Sequence, residues 1–260
     1  MKNTAFDYKR IAQGYKNRPF LHKKVIEQFQ KDVTNQEFTY GLDIGCGAGL
    51  STKALKMICK QVIGTDISPE MIAVAKEVCP QDNSISFLVS KAEEIPATIP
   101  RIDIVTAAGA IQWIDRDSFL KVMKGVMAEN GYMLIYDFAI SDQMLQNEAY
   151  TYWWHEEYLK EFPKPFRNES VWTPDDVSYY GFSIIDQISY DMEYEFDIES
   201  FIEFIMIQSN VNARIEGEGK RIEDVSKWFH ETLKHVFVKP KETVIFKGYS
   251  WYLKKSSRRE

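Results

Sequence analysis

A doubly wound α/β sheet of seven mostly parallel strands is predicted by three features of the 260-residue chain. Residues 40–52, Tyr-Gly-Leu-Asp-Ile-Gly-Cys-Gly-Ala-Gly-Leu-Ser-Thr, read as an apolar strand running into a glycine-rich turn. Asp66 closes a second strand, Gln61-Val-Ile-Gly-Thr-Asp66. From there to Phe138 strand and helix patterns alternate strictly, and that alternation specifies parallel strands with crossover helices.

The elements follow in order. Residues 5–16 and 19–31 carry helical periodicity, the second with Phe20, Leu21, Val25, Ile26 and Phe29 on one stripe. Strand one covers 39–44, and a helix runs from Leu50 to Cys59. Strand two is 61–66. Ser68-Pro69-Glu70 starts the next helix, with a capping serine and proline at the first helical position, reaching Val78. Ile85–Val89 is strand three. Ile102–Ala108 is strand four, almost uniformly apolar as a doubly covered strand should be. A helix over 117–127, an Asn130-Gly131 turn and strand five over 132–138 complete the first half. Residues 140–180 are crowded with aromatics, among them Tyr150, Tyr152, Trp153, Trp154, Tyr158, Phe162 and Phe166. Strand six covers 182–194 and strand seven 243–253, with amphipathic helices over 199–209 and 221–236 between them. With neither an internal repeat nor a long linker, the chain reads as one domain over 1–260. Its parts are N-terminal helices (1–34), a binding core (35–139), an aromatic cap (140–180), and last strands (181–260) with a helical insertion at 198–240.

Composition narrows the class. Hydrophobic residues make up 45% of the chain, enough for a sizeable core, and the net charge of −6 supplies no general attraction for nucleic acid or anionic membrane. The basic run Lys254–Arg259 reads as a solvated tail. Cys46, Cys59 and Cys79 lack metal-ligand spacing, and their odd number argues for a reducing compartment. Cys46 precedes a helix N-terminus, which would lower its pKa, although a small residue filling the loop is the plainer reading. Neither an apolar leader nor a membrane-length run is seen, so a cytoplasmic monomer or homodimer is expected.

The loop's chemistry selects the ligand. A dinucleotide fingerprint needs Gly-x-Gly-x-x-Gly. Here the third glycine comes one place early, at Gly49, and Leu50 stands where that fingerprint has glycine. Asp43 is expected at the mouth of the loop, where a carboxylate would repel a diphosphate but suit the ammonium of a methionine. Asp66, 23 residues later, can accept hydrogen bonds from both ribose hydroxyls. Together these favour S-adenosylmethionine over a nicotinamide cofactor.

With these motifs in place, the chain resembles the class I S-adenosylmethionine-dependent methyltransferases, in the small-molecule branch that includes trans-aconitate methyltransferase-like proteins. Residues 40–52 resemble the family's first motif, Gly64–Met71 its post-loop motif, Ser90–Pro96 its Gly-Asp-Ala-Glu-x-Leu-Pro, and Asp103–Trp113 its fourth motif. The resemblance implies a Rossmann-like methyltransferase fold. In it Asp43, Gly45, Cys46, Gly47 and Gly49 shape the methionine end, Asp66 holds ribose, and Ile67 and Met71 border adenine. Ala92 and Glu93 reach the base edge, and Ala108 and Gly109 line the end of strand four. Tyr15 and Arg18 lie in a segment similar to the family's Tyr-x-x-x-Arg-Pro, which folds over the cofactor, and an arginine fork suits the methionine carboxylate. Two positions depart from the family. Lys91 replaces an adenine-binding Asp, so that contact passes to Glu93, passes to backbone or is lost, and Gln112 replaces a frequent His.

Methyl transfer from a sulfonium needs alignment and exclusion of water, and a base only when the acceptor must lose a proton. Trp113 and His155 are the candidate catalytic residues, with Tyr152 and Trp154 as further candidates for the substrate site; the aromatic block itself reads either as a substrate chamber or as the core of a cap. The Asn/Asp-Pro-Pro-Tyr of nucleic-acid amino methyltransferases is missing after strand four, where Thr106-Ala-Ala-Gly109 stands, and no oxygen-ligand cluster for a metal can be assembled. The expected function is methyl transfer to an oxygen or nitrogen of a small molecule. A cofactor-binding sensor and a nicotinamide-dependent dehydrogenase are the alternatives.

Overall fold

The protein is described by a computed structural model over residues 9–33, 37–79, 83–164 and 172–256. The first residues of the helix expected over 5–16, Phe166 and the end of the basic tail lie outside these residues. Where the sequence suggests one domain with insertions, the chain packs as two compact units. The loop-bearing unit is Phe20–Asp137, Asn168–Ser189 and Tyr249–Glu260; the aromatic unit is Met1–Pro19, Phe138–Arg167 and Tyr190–Gly248. The expected 140–180 cap is therefore shared between them.

After α1 (Lys9–Tyr15), the loop-bearing unit begins with α2 (His22–Val33), which buries Val25, Ile26 and Phe29 as its stripe requires. Then come β1 (Phe38–Ile44), α3 (Leu50–Leu55), β2 (Cys59–Asp66), α4 (Pro69–Val78), β3 (Ile85–Val89), β4 (Ile102–Ala108), a 3₁₀ turn (Ile111–Trp113), α5 (Arg116–Val126) and β5 (Met127–Met144). The start of α4 is the one expected: Ser68 Oγ accepts the Met71 N–H at 3.3 Å and Pro69 follows it. Asp115 caps α5 in the same way, accepting from the Ser118 N–H.

The sheet order is β3-β2-β1-β4-β5-β7-β6, with β6 at Phe182–Phe196 and β7 at Glu242–Lys255. Strands β1 to β5 pair in parallel. Strand β7 is antiparallel to both its neighbours. Ser141 bonds to Ile245 and Leu145 to Thr243, while Ser256 bonds to Gly181 and Ser183 to Lys254, so numbers rise on one strand as they fall on the other. Residues alternate between faces. Leu42, Ile44, Val105, Ala107, Met133 and Ile135 pack with Phe119, Leu120 and Met123 of α5. The opposite face carries Asp43 and Thr106, and the Asp43 carboxylate accepts from Ser51 and Thr52 of α3 and from Thr106 across the strands.

Three expectations are corrected. The helix after the glycine turn stops at Leu55, because Cys59 is already paired with Phe38 as the first residue of β2. Asn130-Gly131 is an irregularity inside β5 rather than a turn before it. Pairing with β4 jumps from Ile102↔Met127 to Ile104↔Tyr132, and Asn130 takes φ 62° to absorb the extra residues. The helix expected over 199–209 is α9 (Ile198–Ile205), followed after a break by α10 (Ser209–Asn212).

The aromatic unit holds α6 (Glu148–Trp153), a π-turn (Trp154–Tyr158), α7 (Leu159–Glu161), α9, α10, a second π-turn (Ala213–Gly217) and α11 (Ile222–Leu233). The short α8 (Pro174–Ser178) belongs to the loop-bearing unit. Trp153 stacks on Tyr158 at 5.2 Å and Phe162 on Phe229 at 5.2 Å. Polar tips find partners: Trp153 Nε1 donates to Thr232, Tyr150 to the Ser141 carbonyl, and Tyr158 to Asn210. This is the packing of a core, which decides against the substrate chamber among the two sequence readings of the aromatic block.

Candidate functional site

The turn after β1 needs its glycines. Gly45, Gly47 and Gly49 adopt φ of 64°, 51° and 86°, a region that side chains disfavour. A Cβ on Gly45 would also lie 2.6 Å from that of Ala110. The turn is tied to the neighbouring strand: the Cys46 N–H donates to the Thr65 carbonyl at 2.9 Å, and the Gly47 N–H to Asp66 Oδ2 at 2.9 Å. Asp66 Oδ1 accepts the Ser68 N–H at 2.9 Å. Each Asp66 oxygen is thereby oriented by a backbone donor, and a carboxylate oxygen has more than one acceptor site, as binding of a vicinal diol requires. Beside it Ile67 stands 64% exposed, an apolar surface of the kind a purine covers, while Met71 is buried behind it. This set of donors, acid and apolar face fits the adenosine part of S-adenosylmethionine.

Asp43 is not at the mouth of the turn. It is wholly buried, with Oδ2 accepting from Ser51 (2.6 Å) and Thr52 (2.7 Å) and Oδ1 from Thr106 (2.7 Å). Strand register explains this, since Asp43 lies beside Thr106 on one side and Gly64 on the other. The absence of a side chain at Gly64 leaves room for Thr52, whose Oγ1 would be 2.8 Å from a Cβ there. Burial pushes the Asp43 carboxyl up from 3.8 to about 6, against the lowering effect of its three hydroxyl partners. Asp43 is a buried clamp between β1, β4 and the start of α3. The hydroxyl partners are the part of the site that the sequence reading missed. Their signal was a Ser-Thr pair straight after the glycines and one polar residue inside the apolar run of β4.

Cys46 also departs from expectation. It is 4% exposed, and burial, with the charges of Asp43 and Asp66, pushes its thiol well up rather than down. Ala92 is buried, and Glu93 Oε1 accepts the Asp115 N–H at 3.0 Å, fastening the loop after β3 to the start of α5. Lys91 pairs with Glu94 in solvent. Ala108 ends β4, and Gly109 (φ 61°) donates its N–H to the Tyr136 carbonyl at 2.8 Å. Trp113 is half-exposed on the 3₁₀ turn that follows.

Tyr15, Arg18, Tyr152, Trp154 and His155 belong to the aromatic unit. The Arg18 guanidinium lies 4.3 Å from the Tyr15 ring and 5.8 Å from that of Phe204. Trp154 is buried and Tyr152 is 65% exposed. His155 points outward instead of into the aromatic core, and its Nε2 lies 2.9 Å from Asp142 Oδ2. Among the described residues there is no cluster of three metal-ligating side chains, and no helix is long and apolar enough to cross a membrane.

An open α/β sheet with a tight glycine turn and an oriented acid on adjoining strand ends defines a nucleoside-binding protein of the doubly wound class. Residues 42–135 match the methyltransferase domain family. Over this segment, about a third of the chain, the sequence is similar to S-adenosylmethionine-dependent methyltransferases. A Saccharomyces cerevisiae protein named as a probable S-adenosylmethionine-dependent methyltransferase is 26% identical over 173 residues, covering 62% of this chain and 59% of that protein. The ubiquinone biosynthesis O-methyltransferase of Bradyrhizobium diazoefficiens is 32% identical over 121 residues, 45% and 47% of the two chains. The aligned part thus spans about half the length of these relatives. A structure described as a type II methyltransferase from Anaeromyxobacter dehalogenans has the same fold, with a TM-score of 0.65 at 16% identity over 90% of this chain and 95% of that one.

Proposed function

We propose that the protein moves the methyl group of S-adenosylmethionine to an oxygen or nitrogen of a small-molecule acceptor, such as a hydroxyl, carboxylate or amine. The observation that carries this reading is Asp66, its carboxylate set by the Gly47 and Ser68 N–H groups beside the glycine turn. When bound, the cofactor supplies an activated methyl and a good leaving group. The chain's own part is positional. The turn at 45–49 receives the methionine end, Asp66 takes the ribose hydroxyls, Ile67 and Met71 flank the base, and Ala92 and Glu93 meet its edge. Ala108 and Gly109 line the end of β4 on the cofactor's side. Trp113 is assigned to the acceptor side. The net charge of −6 fits a small-molecule acceptor better than nucleic acid.

Calorimetry tests the reading directly. S-adenosylhomocysteine should bind and NADH should not. Asp66→Ala should weaken S-adenosylhomocysteine by about 2–3 kcal/mol, some 30- to 150-fold, the usual worth of charge-assisted hydrogen bonds. Retention of NADH with no response to S-adenosylhomocysteine would replace this function with that of a dehydrogenase. Labelled methyl that never leaves the cofactor, across a broad metabolite pool, would make the protein a sensor.

A further inference from the structure

Asp43 is a buried carboxylate with no cation set against it. Ser51 and Thr52 of α3 and Thr106 of β4 donate to it, and among the described residues it makes no ion pair. On the β2 side its neighbour is Gly64. Lys53, next on α3, is exposed and lies 5.4 Å from the Phe20 ring instead. The Cys46 thiol, which feels both acids, is pushed well up and stays uncharged. The charge that acts on Asp43 is that of Asp66 at the end of β2, another anion. A buried charge without an opposite one is costly, so this cluster is short of a positive charge.

The glycine turn is held between the two acids. Asp43 stands two residues before Gly45 and grips Ser51 and Thr52 just after Gly49. Inside the turn, the Gly47 N–H donates to Asp66. An amide could accept from the same hydroxyls; what a carboxylate adds is a field, screened far less away from water than in it. S-adenosylmethionine and S-adenosylhomocysteine differ in what that field can act on. Both carry an ammonium and a carboxylate that cancel, but only the first carries a sulfonium.

We infer that Asp43 distinguishes the charged cofactor from its neutral product, acting on the sulfonium through the turn without touching it. The inference rests on the reading that residues 45–49 receive the methionine end. It replaces the ammonium contact expected from the sequence with an action at a distance. Asp43 is then a specificity-determining residue, and the product is held less tightly than the cofactor it came from. The coupling is reciprocal: arrival of the sulfonium favours the ionised carboxylate. Burial sets the Asp43 carboxyl at about 6, so part of it is protonated in weak acid before the ligand arrives. Binding of S-adenosylmethionine there should expel that proton, and binding of S-adenosylhomocysteine should expel less of it.

Calorimetry supplies two readouts, neither of which needs a methyl acceptor. The first is the ratio of the two affinities, S-adenosylmethionine over S-adenosylhomocysteine. At pH 7 it should fall about 3- to 30-fold in Asp43→Asn, the range for one charge acting across a partly buried gap. In the unaltered protein it should fall likewise between pH 7 and pH 5, while in Asp43→Asn it should stay flat. Both ligands carry the same ribose and ammonium, so the ratio cancels what Asp66 and the amino group contribute. The second readout needs no variant. At pH 6, in buffers of different ionisation heat, S-adenosylmethionine should release more protons than S-adenosylhomocysteine. Failure of the unaltered protein to bind either ligand would overturn the cofactor reading and this inference with it. Binding of both, with equal proton release and a ratio indifferent to pH and to Asp43→Asn, overturns the inference alone and leaves Asp43 a clamp.

Discussion

Asp43→Ala is expected to cost about 4 kcal/mol of unfolding free energy, because it strands three buried hydroxyl groups that each lose an acceptor worth about 1–3 kcal/mol. Ser51, Thr52 and Thr106 all donate to this one carboxylate, and all three are buried. The start of α3 and the glycine turn should loosen together, so affinity for S-adenosylhomocysteine should fall although Asp43 is itself wholly buried. Asp43→Asn separates charge from shape. Burial raises the Asp43 carboxyl from 3.8 to about 6 in the folded chain. A raised carboxyl binds its proton more tightly when folded. Its contribution to stability is therefore fully present below pH 3.8 and lost as pH rises through about 6. Relative to Asp43→Asn, the unaltered protein should lose roughly 2 kcal/mol between pH 4.5 and 7.5, most of the roughly 3 kcal/mol to which the full rise is equivalent. Urea midpoints for both proteins at pH 4.5 and 7.5 check it. A gap that does not change with pH would show that the charge carries no desolvation cost.

Gly45→Ala should be nearly as damaging, by a different route. The residue sits at φ 64°, and a methyl there would be 2.6 Å from the Ala110 side chain. Strained backbone costs about 1–3 kcal/mol, and relieving the clash means moving the turn itself. A loss of about 2–4 kcal/mol in stability, with S-adenosylhomocysteine affinity down tenfold or more, is the expected result. Gly125→Ala in α5 is the matched control. A Cβ there meets nothing within 4 Å, so a helix-interior alanine should be neutral or stabilise by up to about 1 kcal/mol. If both substitutions behave alike, the turn has no special need of glycine.

The parallel half of the sheet was legible in the sequence because its signals are local. The Ser68-Pro69 cap, the apolar run of β4 and the Gly-x-Gly-x-Gly spacing each dictate structure within a few residues. Less local features escaped. Asp43 resembles an exposed acid until Thr106, 63 positions away, is placed beside it by strand register. The exposure of His155 depends on the π-turn at Trp154–Tyr158, which rotates the helix face by an amount that no 3.6-residue periodicity contains. The division into two units shows in the sequence only as the onset of the aromatic run near residue 140; the return of Asn168–Ser189 and Tyr249–Glu260 to the loop-bearing unit depends on long-range packing.

At the outer margin of the sheet, β6 has one sheet neighbour, β7. Asp186, Asp191, Glu193 and Glu195 are all exposed along it. A row of like charges on a fifteen-residue border strand repels any second copy approaching in register, because identical acids would be brought side by side. The length that makes this strand a ready template for fibril-like stacking is offset by electrostatic repulsion, and neutralising those carboxylates in acid is where self-association by strand addition should begin.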